Sequence, residues 1–320
     1  MKILVTGACG YKGSVLVPKL LNAGHEVIAF DIMWFGNHLP THKNLVTIEG
    51  NVIDSDSVPL DKVESVIHLS SIANDPCGDL DPKLTWETSC LATMKLIDNC
   101  VRCGVKQFIY ASSGSVYGLK PEEKVTEDLE LVPLSEYNKT KMVAERAVLS
   151  YSNQITVQIV RPATVCGLSP RMRLDVSVNL LTMQALENNV ITVLGGDQTR
   201  PNIHIDDITD LYLFFLQNPN ITGVFNAGFE NLSIMEIASE ISKRTGADIN
   251  RRPSNDPRSY RVNSDKLSKA GFTPKKNVTI AISEMIDAYR KGTLKNRDVF
   301  YNLKWMESIF DTQIRQKKMV

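Results

Sequence analysis

The chain has 320 residues, enough for one large domain or two, and its 36 basic side chains balance 36 acidic ones. With no net charge and no long Lys/Arg block, a broad basic surface for nucleic acid is excluded. No apolar run is long enough to span a bilayer, and Met1 leads straight into a strand pattern rather than a signal-peptide head, so a cytoplasmic protein without a membrane partner is expected.

The apolar, β-branched run Lys2–Thr6 reads as a buried parallel strand. It opens into Thr6-Gly7-Ala8-Cys9-Gly10-Tyr11-Lys12-Gly13 and then a helical pattern through Leu21. Glycines between a strand and a helix allow a tight turn and close approach of a diphosphate to the helix N-terminus. Residues 25–31 read as a second strand with Asp31 at its end. A carboxylate about 20 residues past the glycines suits ribose hydroxyls, and its charge favours NAD over NADP. Lys12, a cation near the phosphates, works against that preference.

Further strands are predicted over 46–52, 63–69, 107–111 and 156–160, with a long helix over 84–103. The strand 107–111 runs into Ser112-Ser113-Gly114-Ser115-Val116-Tyr117-Gly118. In the next helical segment Tyr137 and Lys141 stand four residues apart, on one face. An ammonium beside a phenol favours the phenolate, which fits proton transfer to and from an alcohol. Strands alternating with helices predict a parallel sheet covered on both sides, with ligands beyond the carboxyl ends of the strands. Gly7, Asp31, Asn51, Ser70 and Ser113 all fall there.

The second half predicts helices to Glu187, over 206–216 and over 233–245, and a strand around Phe225. Arg251, Arg252, Arg258 and Arg261 gather around Asp256-Pro257, a density suited to phosphate contacts or to plain surface charge. The tail 295–320 has amphipathic spacing (Phe300, Leu303, Met306, Ile309, Phe310) and reads as a last helix. Of the six cysteines, Cys100 and Cys103 form a C-x-x-C without a second pair or clustered histidines. That pair is expected as buried free thiols, and no metal site is expected.

Together, T-G-A-C-G-Y-K-G, S-S-G-S-V-Y-G, Y-N-K-T-K, the R-P-A-T-V-C-G of Arg161–Gly167 and the R-P-N-I-H-I of Arg200–Ile205 resemble the extended short-chain dehydrogenase/reductase family, in its nucleotide-sugar epimerase/dehydratase branch. The resemblance covers roughly residues 1–292. It implies an α/β fold: a Rossmann-type doubly wound parallel sheet over 1–165 holding NAD, and a smaller C-terminal α/β substrate domain over 166–292, with some chain crossover. Residues 293–320 form a helical tail.

Carried over by position, the resemblance makes Tyr137 the base, Lys141 the ligand of the nicotinamide ribose that lowers the Tyr137 pKa, and Ser113 the hydrogen-bond partner of the reacting oxygen. Gly7, Gly10 and Gly13 meet the diphosphate, Asp31 the ribose, and Asn51 with Val52 the adenine. The expected cofactor-contacting set also takes in Cys9, Tyr11, Lys12, Leu69, Ser70, Ser71, Ser89, Ala111 and Pro162. A nucleoside-diphosphate sugar is expected against Asn74, Ser113, Ser115, Thr164, Arg171, Arg173, Arg200 and Arg258.

Gly114 and Ser115 stand where dehydratases of the branch carry an Asp-Glu pair, which disfavours 4,6-dehydration. Asn51, Thr164 and Ser89 replace the usual Asp, Asn and Asn. S-P-R-M-R-L-D and D-P-R-S-Y are similar to a subgroup acting on bacterial surface-polysaccharide precursors, including GDP-linked heptose oxidoreductases. The implied activity is NAD-dependent 4-epimerisation of a nucleotide sugar. Net 4-oxidation or reduction of a GDP- or UDP-sugar is the alternative, and a non-catalytic NAD-binding protein the rival. The resemblance also implies a homodimer built on the Tyr137 helix and the helix over 84–103, through Leu91, Met94, Val143 and Val148.

Overall fold

The computed structural model describes residues 1–254 and 259–317, with side chains described through Asp311. The strands are β1 Lys2–Thr6, β2 Glu26–Asp31, β3 Leu45–Glu49, β4 Ser65–His68, β5 Gln107–Ala111, β6 Thr156–Pro162, β7 Thr164–Cys166, β8 Val190–Leu194, β9 Thr199–His204, β10 Gly223–Ala227, β11 Glu230–Ser233 and β12 Asp248–Arg252. The helices are α1 Gly13–Asn22, α2 Asp75–Leu80, α3 Pro82–Trp86, α4 Ala92–Arg102, α5 Glu136–Leu149, α6 Ser177–Asn188, α7 Ile205–Gln217, α8 Ile234–Thr245, α9 Asp265–Lys269, α10 Val278–Arg290 and α11 Asn302–Lys317.

Seven parallel strands form the main sheet in the order β3-β2-β1-β4-β5-β6-β10. Ile3, Leu4, Val5, Val66, Ile67, Phe108 and Ile109 are fully buried, as continuous apolar strands covered on both faces require. The order reverses between β1 and β4, so a crevice opens beyond their carboxyl ends. The seventh strand, β10, comes from beyond residue 166 and pairs with β6, so the chain re-enters the first sheet after leaving it. The remainder holds a three-stranded sheet, β11-β9-β7, and the parallel pair β12-β8. Helices α6, α8 and α10 cover that pair around Ile191, Val193, Ile237, Ile241 and Ile282. This is the Rossmann-like α/β architecture expected from the motifs.

Four details differ from the sequence reading. The third strand stops at Glu49, opposite Asp31, where its only partner β2 ends. The long helix over 84–103 is three segments, α3, a π turn over Glu87–Leu91, and α4, with the Ala92 N–H bonded five residues back to the Glu87 carbonyl. Val148, expected on an exposed dimer face, is fully buried against the sheet with Ala144 and Ile159. Cys103 is exposed at the end of α4, whereas the other five cysteines are buried.

A buried ion pair ties α5 to the sheet. Glu145 is 1% exposed and Arg161, on β6, 5%. Arg161 Nε donates to both Glu145 oxygens at 3.1 Å and Nη2 to Oε2 at 2.7 Å. Ser112 donates to the other face of the carboxylate. Arg161 Nη1 donates to the Tyr117 hydroxyl at 2.7 Å, which donates to Asn226 Oδ1 on β10 at 2.7 Å. Removing one charge leaves the other buried and uncompensated, which costs about 3–5 kcal/mol. Glu145→Gln should therefore lower unfolding stability by that order in urea denaturation, and an unchanged midpoint would refute the role of this pair.

Candidate active site

At the end of β1, Gly7 adopts φ 68°, and a Cβ there would lie 2.7 Å from the Ser70 nitrogen. A Cβ on Gly13 would lie 2.3 Å from the Ala8 carbonyl oxygen. Neither position can carry a side chain, so bare backbone faces the cleft at the start of α1. Gly7, Cys9, Gly10, Tyr11, Lys12, Gly13, Asp31, Asn51, Val52, Leu69, Ser70 and Ser71 line this first cleft together. Asp31 accepts the Cys9 N–H at 2.9 Å and the Met33 N–H at 2.7 Å. Burial pushes its carboxyl up, against those two bonds. The Asn51 side-chain oxygen accepts the Ile53 N–H at 3.0 Å, which fixes its turn.

Tyr137, Lys141, Ser113, Ser115, Ala111, Pro162, Asn74, Thr164, Arg173 and Arg200 line a second cleft that adjoins the first. The α5 cap builds its floor: Ser135 Oγ accepts the Asn138 N–H at 3.2 Å and donates to Asp75 at 2.6 Å. Tyr137 and Ser113 line this cleft together, and Ser113 Oγ lies 2.7 Å from Ser115 Oγ, which donates to Asn138. Tyr11, Lys12, Leu69, Ser71, Ala73 and Arg173 line both clefts, which form one continuous trench. A hydroxyl chain at one end and bare backbone with a carboxylate at the other can position an alcohol against a dinucleotide.

Three expectations are corrected here. Lys141 does not depress Tyr137: its Nζ donates to the Ala111 carbonyl at 2.8 Å, and burial pushes the phenol up to about 12, against the Ser113 hydrogen bond. Ser89 is fully buried behind the first cleft, where its hydroxyl lies 3.0 Å from Ser71 Oγ and accepts the Ile72 N–H at 3.2 Å. Arg171 lines the glycine-turn cleft instead of the Tyr137 cleft. Arg258 lies outside the described residues.

Sequence reading missed Trp34, Phe35, Thr88, Asn302 and Met306 in the first cleft, and Leu134, Val176 and Tyr260 in the second. Apolar residues in the loop after β2 were a signal, as was the amphipathic tail that carries Met306. Metal-ligating types also meet away from the trench, where His204, Asp206 and Glu284 converge. Lys276 bonds both carboxylates there, at 2.7 and 2.5 Å, and offsets their charge. Among the described residues no helix is long and apolar enough to cross a membrane.

The family model for the NAD-dependent epimerase/dehydratase family matches residues 3–228. A Bacillus subtilis protein described as an uncharacterized UDP-glucose epimerase is 32% identical over 266 residues, covering 77% of this chain and 83% of its own. UDP-glucuronic acid decarboxylase 1 of Danio rerio is 30% identical over 254 residues, covering 75% of this chain and 60% of that one. The structure of UDP-glucuronic acid 4-epimerase from Bacillus cereus with UDP-glucuronic acid and NAD superposes with a TM-score of 0.80 at 29% identity, covering 91% of this chain and 99% of that one.

Burial, then the Lys12 charge, lowers the Lys141 amine to about 7. Above that pH the unfolded chain, with an ordinary lysine, holds a proton that the folded chain has released. Stability of the ligand-free protein therefore gains a term from Lys141 that rises with pH from about 7 towards the ordinary lysine range, at up to 1.4 kcal/mol per pH unit, roughly. Denaturation midpoints from pH 6.5 to 8.5 should rise more steeply for the wild type than for Lys141→Met. Parallel profiles would contradict this.

Proposed function

The chain belongs to the NAD-dependent epimerase/dehydratase family, and on that footing we propose that it is a nucleotide-sugar 4-epimerase. The observation that carries this reading is the single trench, with Tyr137, Ser113 and Arg200 at one end and the glycine turn with Asp31 at the other. Residues 1–165 with β10 hold NAD in this reading, residues 166–292 grip the sugar nucleotide, and 293–320 form a tail. The cradle fits NAD, because Gly7 and Gly13 let the turn fold tightly against Ser70 and Ala8, which leaves bare backbone at the start of α1 for its diphosphate. Gly7, Gly10 and Gly13 meet that diphosphate, Asp31 the adenosine ribose, Asn51 and Val52 the adenine, and Lys141 the nicotinamide ribose. NAD, when bound, supplies a hydride acceptor that can give the hydride back.

The chain's own work is proton transfer and positioning. Tyr137 takes the proton of the sugar 4-hydroxyl as the hydrogen on carbon 4 leaves with its electron pair. Ser113 holds the reacting oxygen, and its contact with Ser115 continues the hydroxyl chain. The keto-sugar then turns its other face, and Tyr137 returns the proton. Arg200 and Arg173 face the substrate diphosphate from the cleft wall. At 114 and 115 the chain has glycine and serine, so those positions supply no acid to expel a 6-hydroxyl, which supports epimerisation over dehydration. UDP-linked sugars are the first class to test, given the UDP-sugars that its relatives are named for, and the S-P-R-M-R-L-D segment keeps GDP-linked sugars beside them.

Leu91 and Met94 are 49% and 40% exposed on the helix over 82–102, and Val143 is half-buried on α5. Pairing of these helices with their copies in a homodimer would cover that face. Light scattering at micromolar concentration should give twice the 35.7 kDa chain mass, and a monomer would refute the pairing.

Proton NMR of the protein with NAD and a panel of UDP- and GDP-sugars should reveal inversion at carbon 4 without net NADH. NADH accumulating with a 4-keto product would replace this reading with a net dehydrogenase. Tyr137→Phe should reduce turnover by at least about a hundredfold while NAD binding persists. An unchanged rate would remove Tyr137 from the mechanism.

A further inference from the structure

Arg171 is 2% exposed and lines the glycine-turn cleft. Its guanidinium stacks on Phe35, 3.9 Å from the ring centroid. Nη2 donates to Asn302 Oδ1 at 2.6 Å and Nη1 to the Met172 carbonyl at 3.3 Å, while Nε has no hydrogen-bond partner among the described residues. No carboxylate among those residues lies within ion-pair distance of it. Burying a guanidinium without a counter-charge is costly, so such a site is built to receive an anion.

Asn302 is the first residue of α11, which lies outside the residues matched by the family model. This helix closes the same cleft. Met306 is 2% exposed and lines it, Trp305 Nε1 donates to the Trp34 carbonyl at 2.7 Å, and the Phe310 ring meets Trp34 edge-on at 5.9 Å. Asp175 latches the helix: its carboxylate accepts the Asn302 N–H at 3.1 Å and Asn74 Nδ2 at 3.2 Å, and pairs with Arg173 at 2.9 Å.

We propose that Arg171 is a ligand of the cofactor diphosphate and that α11 is a strap which holds Arg171 in place and keeps the dinucleotide bound through turnover. Arg171 lines the same cleft as the glycine turn, and with Nε unpartnered and one bond made by each Nη it keeps N–H donors for phosphate oxygens. The dinucleotide enters and leaves when α11 lifts, and Asn302 is the point at which it unlatches. This rests on NAD occupying the glycine-turn cleft, and it deepens that reading: a strapped cofactor suits a reaction that leaves NAD unchanged overall.

The full-length protein is loaded with NADH, chased with excess NAD, and release is followed by NADH fluorescence, with melting temperature as the folding control. Loss of one charge-assisted contact corresponds to at least about a tenfold faster release for Arg171→Gln, with Arg171→Lys falling between it and the wild type. Asn302→Ala keeps the charge and should speed both entry and exit. If Arg171→Gln does not fold, Asn302→Ala decides alone. Release at the wild-type rate from the folded variants would overturn the strap while leaving NAD in the cleft. A wild type that binds no NADH would overturn both the strap and the cofactor placement.

Discussion

The arrangement of the trench depends on one buried contact, the bidentate pairing of Glu145 with Arg161. Tyr137, Lys141 and Glu145 stand four residues apart in turn, so they form a single stripe along α5. Lys141 bonds the Ala111 carbonyl and Glu145 accepts from Ser112, so the stripe is docked along the end of β5 at two successive residues. Ser113 follows directly and lines the same cleft as Tyr137. Arg161 carries the same constraint outward through Tyr117 to Asn226 on β10, the strand that returns from the second half of the chain. A buried guanidinium and carboxylate tolerate little displacement, because each step apart exposes an uncompensated charge to apolar surroundings.

Much of this was legible in the chain. The strands of the main sheet are apolar and β-branched, and the glycine turn and Tyr137 with Lys141 follow from local spacing that tertiary context leaves intact. Electrostatics were less legible. Four-residue spacing places Lys141 on the face of Tyr137, yet it cannot reveal that the amine reaches down to a strand carbonyl while burial pushes the phenol up. Val148 has the spacing of an exposed apolar face, but α5 lies so close to the sheet that this residue is enclosed. Arg171 and the tail were harder still: the contact between Asn302 and Arg171 spans 131 residues, and no periodicity announces a pairing of that range.

The trench also explains why its cations disturb one another. Lys12, Arg171 and Arg173 all line the glycine-turn cleft. Burial, with Arg173 next, lowers Lys12 to about 8 and Arg171 to about 9. Arg173 itself is raised, because Asp175 outweighs its burial. Arg173 is thus paired with a carboxylate, while Lys12 and Arg171 have no ion-pair partner among the described residues.

The π turn over Glu87–Leu91 has a consequence for how this chain can vary. A residue added within a helix rotates everything beyond it by about 100°. Before the turn's end, Ser89 answers to Ser71 and the Ile72 N–H at the trench; after it, Leu96, Ile97 and Cys100 answer to the core. The two obligations have different phases, and the wide turn is the joint that reconciles them. In an alignment of homologous chains, a one-residue gap here would not be a neutral indel, since it would force a choice between seating Ser89 and seating Leu96, Ile97 and Cys100.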